Sequence, residues 1–310
     1  MEKITVILPA YGEEKNIDPA VRAVSEVLES CRVDYELLFV DDGSRDGTWE
    51  RICAAAKENG RVHGIRFSRN FGKEAAMFAG LEAARGDACV VMDCDLQHPP
   101  ETIPEMIRLW REGYQVVEGV KEDRGTESAA HSAAARLFYR WISRASGMDM
   151  SSASDFKLLD RAVVDALNAM PERSVFFRAL SHWVGFRSVS LPFSVRERTA
   201  GESKWSTSSL IRYAFRNMSA FSSAPLHIVT ILGMLMLAAA LVFGTIALVQ
   251  KLTGTALGGF TTVILLQLFT GSLLMISLGI IGLYIGRIYE EIKGRPRYIV
   301  SDTCGKKKQD

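Results

Sequence analysis

The residues best suited to chemistry are acids that follow short apolar runs. One such run, ACVVM, leads straight into Asp93, Cys94, Asp95, Leu96, Gln97 and His98. Carboxylates at i and i+2 on a strand end can converge on one hard divalent cation, whose remaining positions go to water and diphosphate oxygens. Such a pair alone arises often by chance. Its weight comes from company: another run ends in Asp41, Asp42, Gly43 and Ser44, and the first ends in Pro9, Ala10, Tyr11, Gly12 and Glu13. Acids at such ends accept hydrogen bonds from base N–H groups or ribose hydroxyls, and Gly43 permits a tight turn close to a ligand. Taken singly, each reads equally well as an Asx turn or a helix cap, Asp46 above all. Cys94 suits packing, because a hard cation prefers oxygen.

The elements that must carry these residues alternate between strand-like and helix-like patterns. Residues 4–8, 36–40, 62–67, 88–92 and 115–118 are apolar strand candidates, separated by amphipathic segments such as 16–30 and 73–84. That alternation predicts an α/β sheet, whose ligands gather at the carboxyl ends of strands. Neither G-x-G-x-x-G nor a P-loop motif occurs, so a nucleotide would be held by acids and a metal instead.

With 37 basic against 36 acidic residues among 310, the net charge of +1 offers no field for a nucleic-acid partner. Apolar residues make up 48% and mean hydropathy is +0.08, a balance that predicts a soluble part joined to a membrane part. The five cysteines show no C-x-x-C spacing, which argues against a disulfide framework or a zinc site. The first apolar run is too short for a secretory signal. Charged residues vanish between Arg216 and Lys251, and again from there to Arg287. Two spans, 225–250 and 262–286, fit those gaps and exceed the about 20 residues that cross a bilayer as helix. Buried core helices are the alternative. Arg212 and Arg216 before the first span, and Arg287, Lys293, Arg295, Arg297 and residues 306–308 after the second, outnumber the one Lys in the turn. The positive-inside rule therefore places the large N-terminal part and the tail in the cytoplasm. Residues 206–222 read as an amphipathic helix on the membrane surface, or as a core-facing one.

Together, ILPAYGEEKNI, FVDDGSRDGT, RNFGKEAAMFAGLEAA, MDCDLQHPPE, SDFKLLDR, FFRALSHWVGF and RTAGESKWS, followed by paired spans, resemble the family 2 inverting glycosyltransferases. More narrowly they resemble the polyprenyl-phosphate enzymes, which include dolichol-phosphate mannose synthase and bactoprenol glucosyltransferases. Gly12 departs from the Asn usual in the family's P-x-Y-N-E-E motif, and Lys121 from a commoner Arg. The resemblance implies a GT-A type domain over residues 1–205, the surface helix at 206–222, a hairpin at 225–287 and a basic tail at 288–310. It implies that Pro9, Tyr11, Glu13, Asp41 and Asp93 bind a nucleotide sugar such as a UDP-hexose. Asp93, Asp95 and Gln97 would surround the diphosphate and Mg²⁺ or Mn²⁺, with Asp95 the expected direct ligand. Asp155 matches the residue proposed as catalytic base; a helix or turn cap is the alternative. Arg124, Arg136, Arg196, Arg198 and Lys204 are candidates for the acceptor phosphate, Arg198 and Lys204 matching the family motif best. All donor residues then precede Asn168. The expected reaction is inverting transfer of glucose from UDP-glucose to undecaprenyl phosphate at the cytoplasmic face of a bacterial inner membrane, by an enzyme whose relatives admit a homotetramer. A processive polysaccharide synthase is the nearest alternative, but its Q-x-x-R-W would need Gln where Leu137 precedes Arg140 and Trp141. A non-catalytic membrane scaffold is the other, against which the intact Asp93, Asp95 and Asp155 argue.

Overall fold

The computed structural model describes residues 1–121, 154–172, 176–194, 224–254 and 259–305. Strand β1 (Lys3–Ala10), α1 (Ile17–Ser30), β2 (Asp34–Asp41), α2 (Thr48–Glu58), β3 (Val62–Phe67), α3 (Lys73–Ala83) and β4 (Ala88–Val91) open the chain. Then follow α4 (Ile103–Arg111), β5 (Val116–Lys121), β6 (Lys157–Asp160), α5 (Arg161–Asn168), α6 (Phe177–Trp183) and β7 (Ser188–Phe193). With β8 (Val300–Cys304), the sheet runs in the order β7-β5-β6-β4-β1-β2-β3-β8. The central pairs are parallel, while β6 is antiparallel to both β4 and β5, and β8 is antiparallel to β3.

Helices cover both faces of the central strands, which is why β2, DYELLFVD, is buried at every position after Asp34 instead of alternating. Val6, Leu8, Leu37 and Phe39 pack on one side with the buried α1 stripe of Ile17, Ala20, Val24 and Leu28. Leu38, Val40 and Ile65 pack on the other with Ala75, Ala76 and Ala79 of α3. From β1 the chain steps outward to β3, then returns to β4 on the opposite side of β1. The loops after β1 and β4 therefore diverge, and a crevice opens at the carboxyl ends of these strands.

By its contacts the chain forms two units, Met1–Ser206 with Pro296–Asp310, and Thr207–Arg295. The second contains α7 (Ala224–Leu252) and α8 (Phe260–Ile292). Within them Val229–Leu252 and Phe269–Ile292 have hydropathies of 2.5 and 1.8, and none of either stretch is buried. Leu235, Phe243 and Met275 are exposed, unlike the side chains of a helix buried in this chain's own core, and both helices are long and apolar enough to cross a membrane. The hydroxyls of Thr245, Thr270 and Ser277 donate to carbonyls one turn back, so none needs water. Residues 206–222 lie outside the described residues. Part of the segment 288–310, read from the sequence as a basic tail, forms regular structure. Helix α8 runs on to Ile292, and Val300–Cys304 returns as a strand of the sheet.

Candidate active site

Antiparallel pairing places Lys157 opposite Val91, so Asp155, two residues ahead of β6, arrives where Asp93 leaves β4. Between them lies a side chain that motif reading passed over. Lys73, at the start of α3, holds its Nζ 2.6 Å from Asp93 Oδ1 and 3.0 Å from Asp155 Oδ2. On the far side, Arg178 of α6 donates through Nε to Asp155 Oδ1 at 2.7 Å and through Nη2 to Oδ2 at 2.9 Å, the bidentate geometry that suits a carboxylate. Burial would raise the Asp155 carboxyl, but Lys73 and Arg178 outweigh it and hold the group far below the usual carboxylate range. Burial likewise opposes ionisation of Asp93, and Lys73 again brings that carboxyl below its ordinary value. Lys73 is held above its own ordinary value despite burial, because Asp93 and Asp155 favour its charge. Glu74 goes the other way: burial and the neighbouring Asp155 push it up to about 7.

A set of structural acids fixes this cluster. Asp42 accepts from Phe71 N–H at 2.6 Å and Gly72 N–H at 2.9 Å, which sets the start of α3 and so the reach of Lys73. The fully buried Lys157 lies 2.9 Å from Glu118 Oε1 and donates to Ser181 Oγ at 2.6 Å. Glu118 also accepts from Ser154 N–H at 2.8 Å and lies 3.0 Å from His182 Nε2, tying the approach to Asp155 to the helix that carries Arg178. Lys157→Met would leave Glu118 buried without its cation. The expected loss is about 3–5 kcal/mol, seen as a lower thermal midpoint in detergent; an unchanged midpoint would dismiss the network as a support.

The loop after β4 carries oxygen-bearing side chains, Asp93, Asp95 and Gln97, of the type a hard cation takes. Leu96, a non-glycine residue at φ +56°, turns the chain between Asp95 and Gln97. Asp95 Oδ1 accepts from Gln97 N–H at 3.1 Å, and His98, stacked on Phe156 with centroids 4.9 Å apart, accepts from Asp93 N–H at 3.2 Å. Among the described residues no three His, Cys, Asp or Glu side chains close round one point. The ammonium of Lys73 beside Asp93 shows that this carboxylate takes a cationic partner.

On the other side of β1 lies a cavity of about 440 Å³, lined in part by Tyr11, Gly43, Ser44, Arg45 and Arg69. Tyr11 keeps 47% of its surface exposed. Gly43 sits at φ +68°, and a Cβ there would come within 2.6 Å of the Arg69 backbone, so the turn demands glycine. Asp41 is fully buried beneath this wall. It accepts from Ser44 N–H at 2.9 Å and lies 3.4 Å from Arg66 Nε, so it supports the cavity through those two residues. Pro9 O accepts from the Cys94 thiol at 3.1 Å, and Glu13 takes its backbone bond to Thr48 Oγ1 at 2.9 Å. Asp46 accepts from both the N–H and the hydroxyl of Thr48, an Asx-type turn just ahead of α2, whose own N-cap is Gly47. Arg124, Arg136, Arg196, Arg198 and Lys204 lie outside the described residues. Lys73 and Arg178 stood in RNFGKEAAMF and FFRALSHWVGF, yet nothing in their linear spacing brings positions 73, 93, 155 and 178 together.

Residues 5–153 match Glycosyl transferase family 2. The uncharacterized glycosyltransferase YkcC of Bacillus subtilis is 38% identical over 303 residues, 97% of this chain and 94% of its own. The prophage bactoprenol glucosyl transferase homolog of Escherichia coli is 35% identical over 300 residues, 96% of this chain and 98% of its own. This chain is a family 2 glycosyl transferase. A solved structure, glucosyl-3-phosphoglycerate synthase of Mycobacterium tuberculosis, aligns over 65% of the transferase and 73% of its own chain, with a TM-score of 0.46 and 22% identity. The transferase carries the α/β sheet expected from its sequence, mixed because β6 and β8 run antiparallel to their neighbours. Its Gly12, where the family has Asn, sits at φ +70° and donates to Ser44 Oγ at 3.0 Å. Glycine and asparagine are the residues that most readily take this left-handed backbone, so the turn tolerates the exchange.

Proposed function

We propose that this transferase moves one glucose from UDP-glucose to a polyprenyl phosphate such as undecaprenyl phosphate, inverting the anomeric centre. The observation that carries the reading is likeness along nearly the whole chain, apolar helices included, to proteins named bactoprenol glucosyl transferase, among them that of Shigella phage SfV at 34% identity over 97% of this chain. A lipid acceptor also accounts for α7 and α8. Its tail cannot leave a bilayer without exposing apolar surface at about 0.8 kcal/mol per CH₂, so the catalytic groups must come to it. Basic residues flanking the two helices favour a cytoplasmic catalytic unit and cytoplasmic termini, and likeness to bacterial and phage proteins favours a bacterial inner membrane.

The bond that forms joins an acceptor phosphate oxygen to the anomeric carbon, and the bond that breaks releases UDP. Because the second pKa of a phosphate monoester lies at about 6, the acceptor is largely ionised at pH 7 and needs no strong base. Asp155, held as an anion by two cations, is suited to orienting Lys73 and Arg178 rather than to taking up a proton. Those cations present donors that an acceptor phosphate can engage, beside the proposed set of Arg124, Arg136, Arg196, Arg198 and Lys204. Asp93, Asp95 and Gln97 would hold Mg²⁺ or Mn²⁺, which when bound acts as a Lewis acid toward the departing diphosphate. Tyr11 and the Ser44 turn flank the nucleoside, with Pro9, Glu13 and Asp41 shaping the turns behind them. Incubation of the purified protein with undecaprenyl phosphate and a panel of nucleotide sugars should give a lipid product from UDP-glucose before any other donor. Preference for another donor would overturn the sugar assignment; no lipid product from any donor would overturn the acceptor.

A further inference from the structure

The cavity beside Tyr11 is closed on one side by Ser301 and Asp302 of β8. All donor residues read from the sequence precede Asn168, whereas this wall comes from chain that follows the second apolar helix. It is firmly attached. Asp302 stands opposite Arg66 in the antiparallel ladder, Ser68 N–H donates to Ile299 O at 2.9 Å, and Tyr298 stacks on Phe67 with centroids 4.8 Å apart.

Electrostatics narrow what the cavity takes. Three guanidinium groups line it, from Arg45, Arg66 and Arg69, against the carboxylate of Asp302. Arg66 is engaged by Asp41 and by Ser44 O at 3.2 Å, and Arg69 lies 4.2 Å over the Phe71 ring. The side chain of Asp302 is exposed and makes no hydrogen bond or ion pair among the described residues. The cavity thus offers an exposed aromatic ring, cations for an anionic group, and an uncommitted acceptor facing them. Its volume of about 440 Å³ is within the range of about 300–1,000 Å³ for small-ligand pockets. A nucleoside diphosphate has matching parts: a base to stack, an anionic diphosphate, and ribose hydroxyls that donate to a carboxylate.

We propose that β8 completes the donor site, with Asp302 accepting hydrogen bonds from the ribose hydroxyls of the nucleoside diphosphate and Ser301 flanking it. The inference rests on the proposed nucleotide-sugar donor and adds to it a recognition element beyond the family 2 match, supplied only once the chain has passed both apolar helices.

Calorimetry on the full chain in detergent tests it, with UDP, uridine and pyrophosphate as probes. Asp302→Ala should weaken UDP on the order of tenfold, the scale of one hydrogen bond to a charged acceptor. Asp302→Asn, which keeps one oxygen, should lose less. Uridine should weaken in parallel while pyrophosphate is unchanged or tighter, since removing a negative charge cannot weaken attraction for an anion. Equal UDP affinity in Asp302→Ala and wild type, at equal thermal midpoints, would overturn the proposal. So would a loss shared by pyrophosphate. A wild-type protein that binds UDP with this Asp302 dependence yet glycosylates no lipid would sink the acceptor reading alone; one that binds no UDP would sink both.

Discussion

Asp95→Asn is expected to remove nearly all transfer while leaving the fold intact. The amide is close in shape to the carboxylate and can still accept from Gln97 N–H through its oxygen, so the turn at Leu96 is retained. What is lost is the charge that a hard divalent cation requires. Without that cation the departing diphosphate carries its developing charge unaided, and a fall of about two to three orders of magnitude follows from losing such electrostatic stabilisation. Excess EDTA should mimic the substitution in the wild type, and Mg²⁺ or Mn²⁺ should reverse it. Wild-type rates in Asp95→Asn, or full activity in EDTA, would refute the metal site.

Asp155→Asn should slow transfer by about two orders of magnitude, the scale of losing one preorganised electrostatic contact, with UDP affinity little changed. Its pH dependence is the sharper test. The folded carboxyl lies far below its unfolded value of 3.8. Its charge, and the stability it contributes, are therefore fully present above that unfolded value and are lost only as pH falls through the folded one. No acid limb from Asp155 should appear in the rate between pH 5 and 8. Arg178→Ala removes one of the two cations while burial remains, so the carboxyl rises and the limb moves toward neutrality. Loss of UDP binding in Asp155→Asn would move the residue to the nucleotide pocket. A wild-type rate that titrates near pH 6 and loses that titration in Asp155→Asn would restore it as a general base.

Where hydrophobic pattern dictates structure, these elements could be read from the chain. The buried runs of β1 to β4 and the long apolar stretches of α7 and α8 each follow from it. Strand β6 hides because KLLD begins with a lysine whose full burial depends on Glu118 and Ser181, partners remote in sequence. Strand β7 contains Pro192, which usually marks an edge. Strand β8, VSDTC, is polar and mostly exposed, so only its backbone ladder to β3 defines it. The same division runs through the site. Asp93 and Asp95 follow a recognisable apolar run and Asp155 stands in the family-like motif SDFKLLDR, but Lys73 and Arg178 are ordinary helix charges until antiparallel β6 brings Asp155 between them.

The central claim is inverting transfer to a lipid phosphate, and the structure of the product tests it most directly. Purified full-length protein, UDP-glucose and undecaprenyl phosphate in vesicles should yield a lipid carrying one hexose through a phosphodiester. Because the donor linkage is α, mass spectrometry with phosphorus and proton NMR should show a β-linked glucosyl phosphate. UDP release without a sugar-bearing lipid, or an α-linked product, would contradict the account.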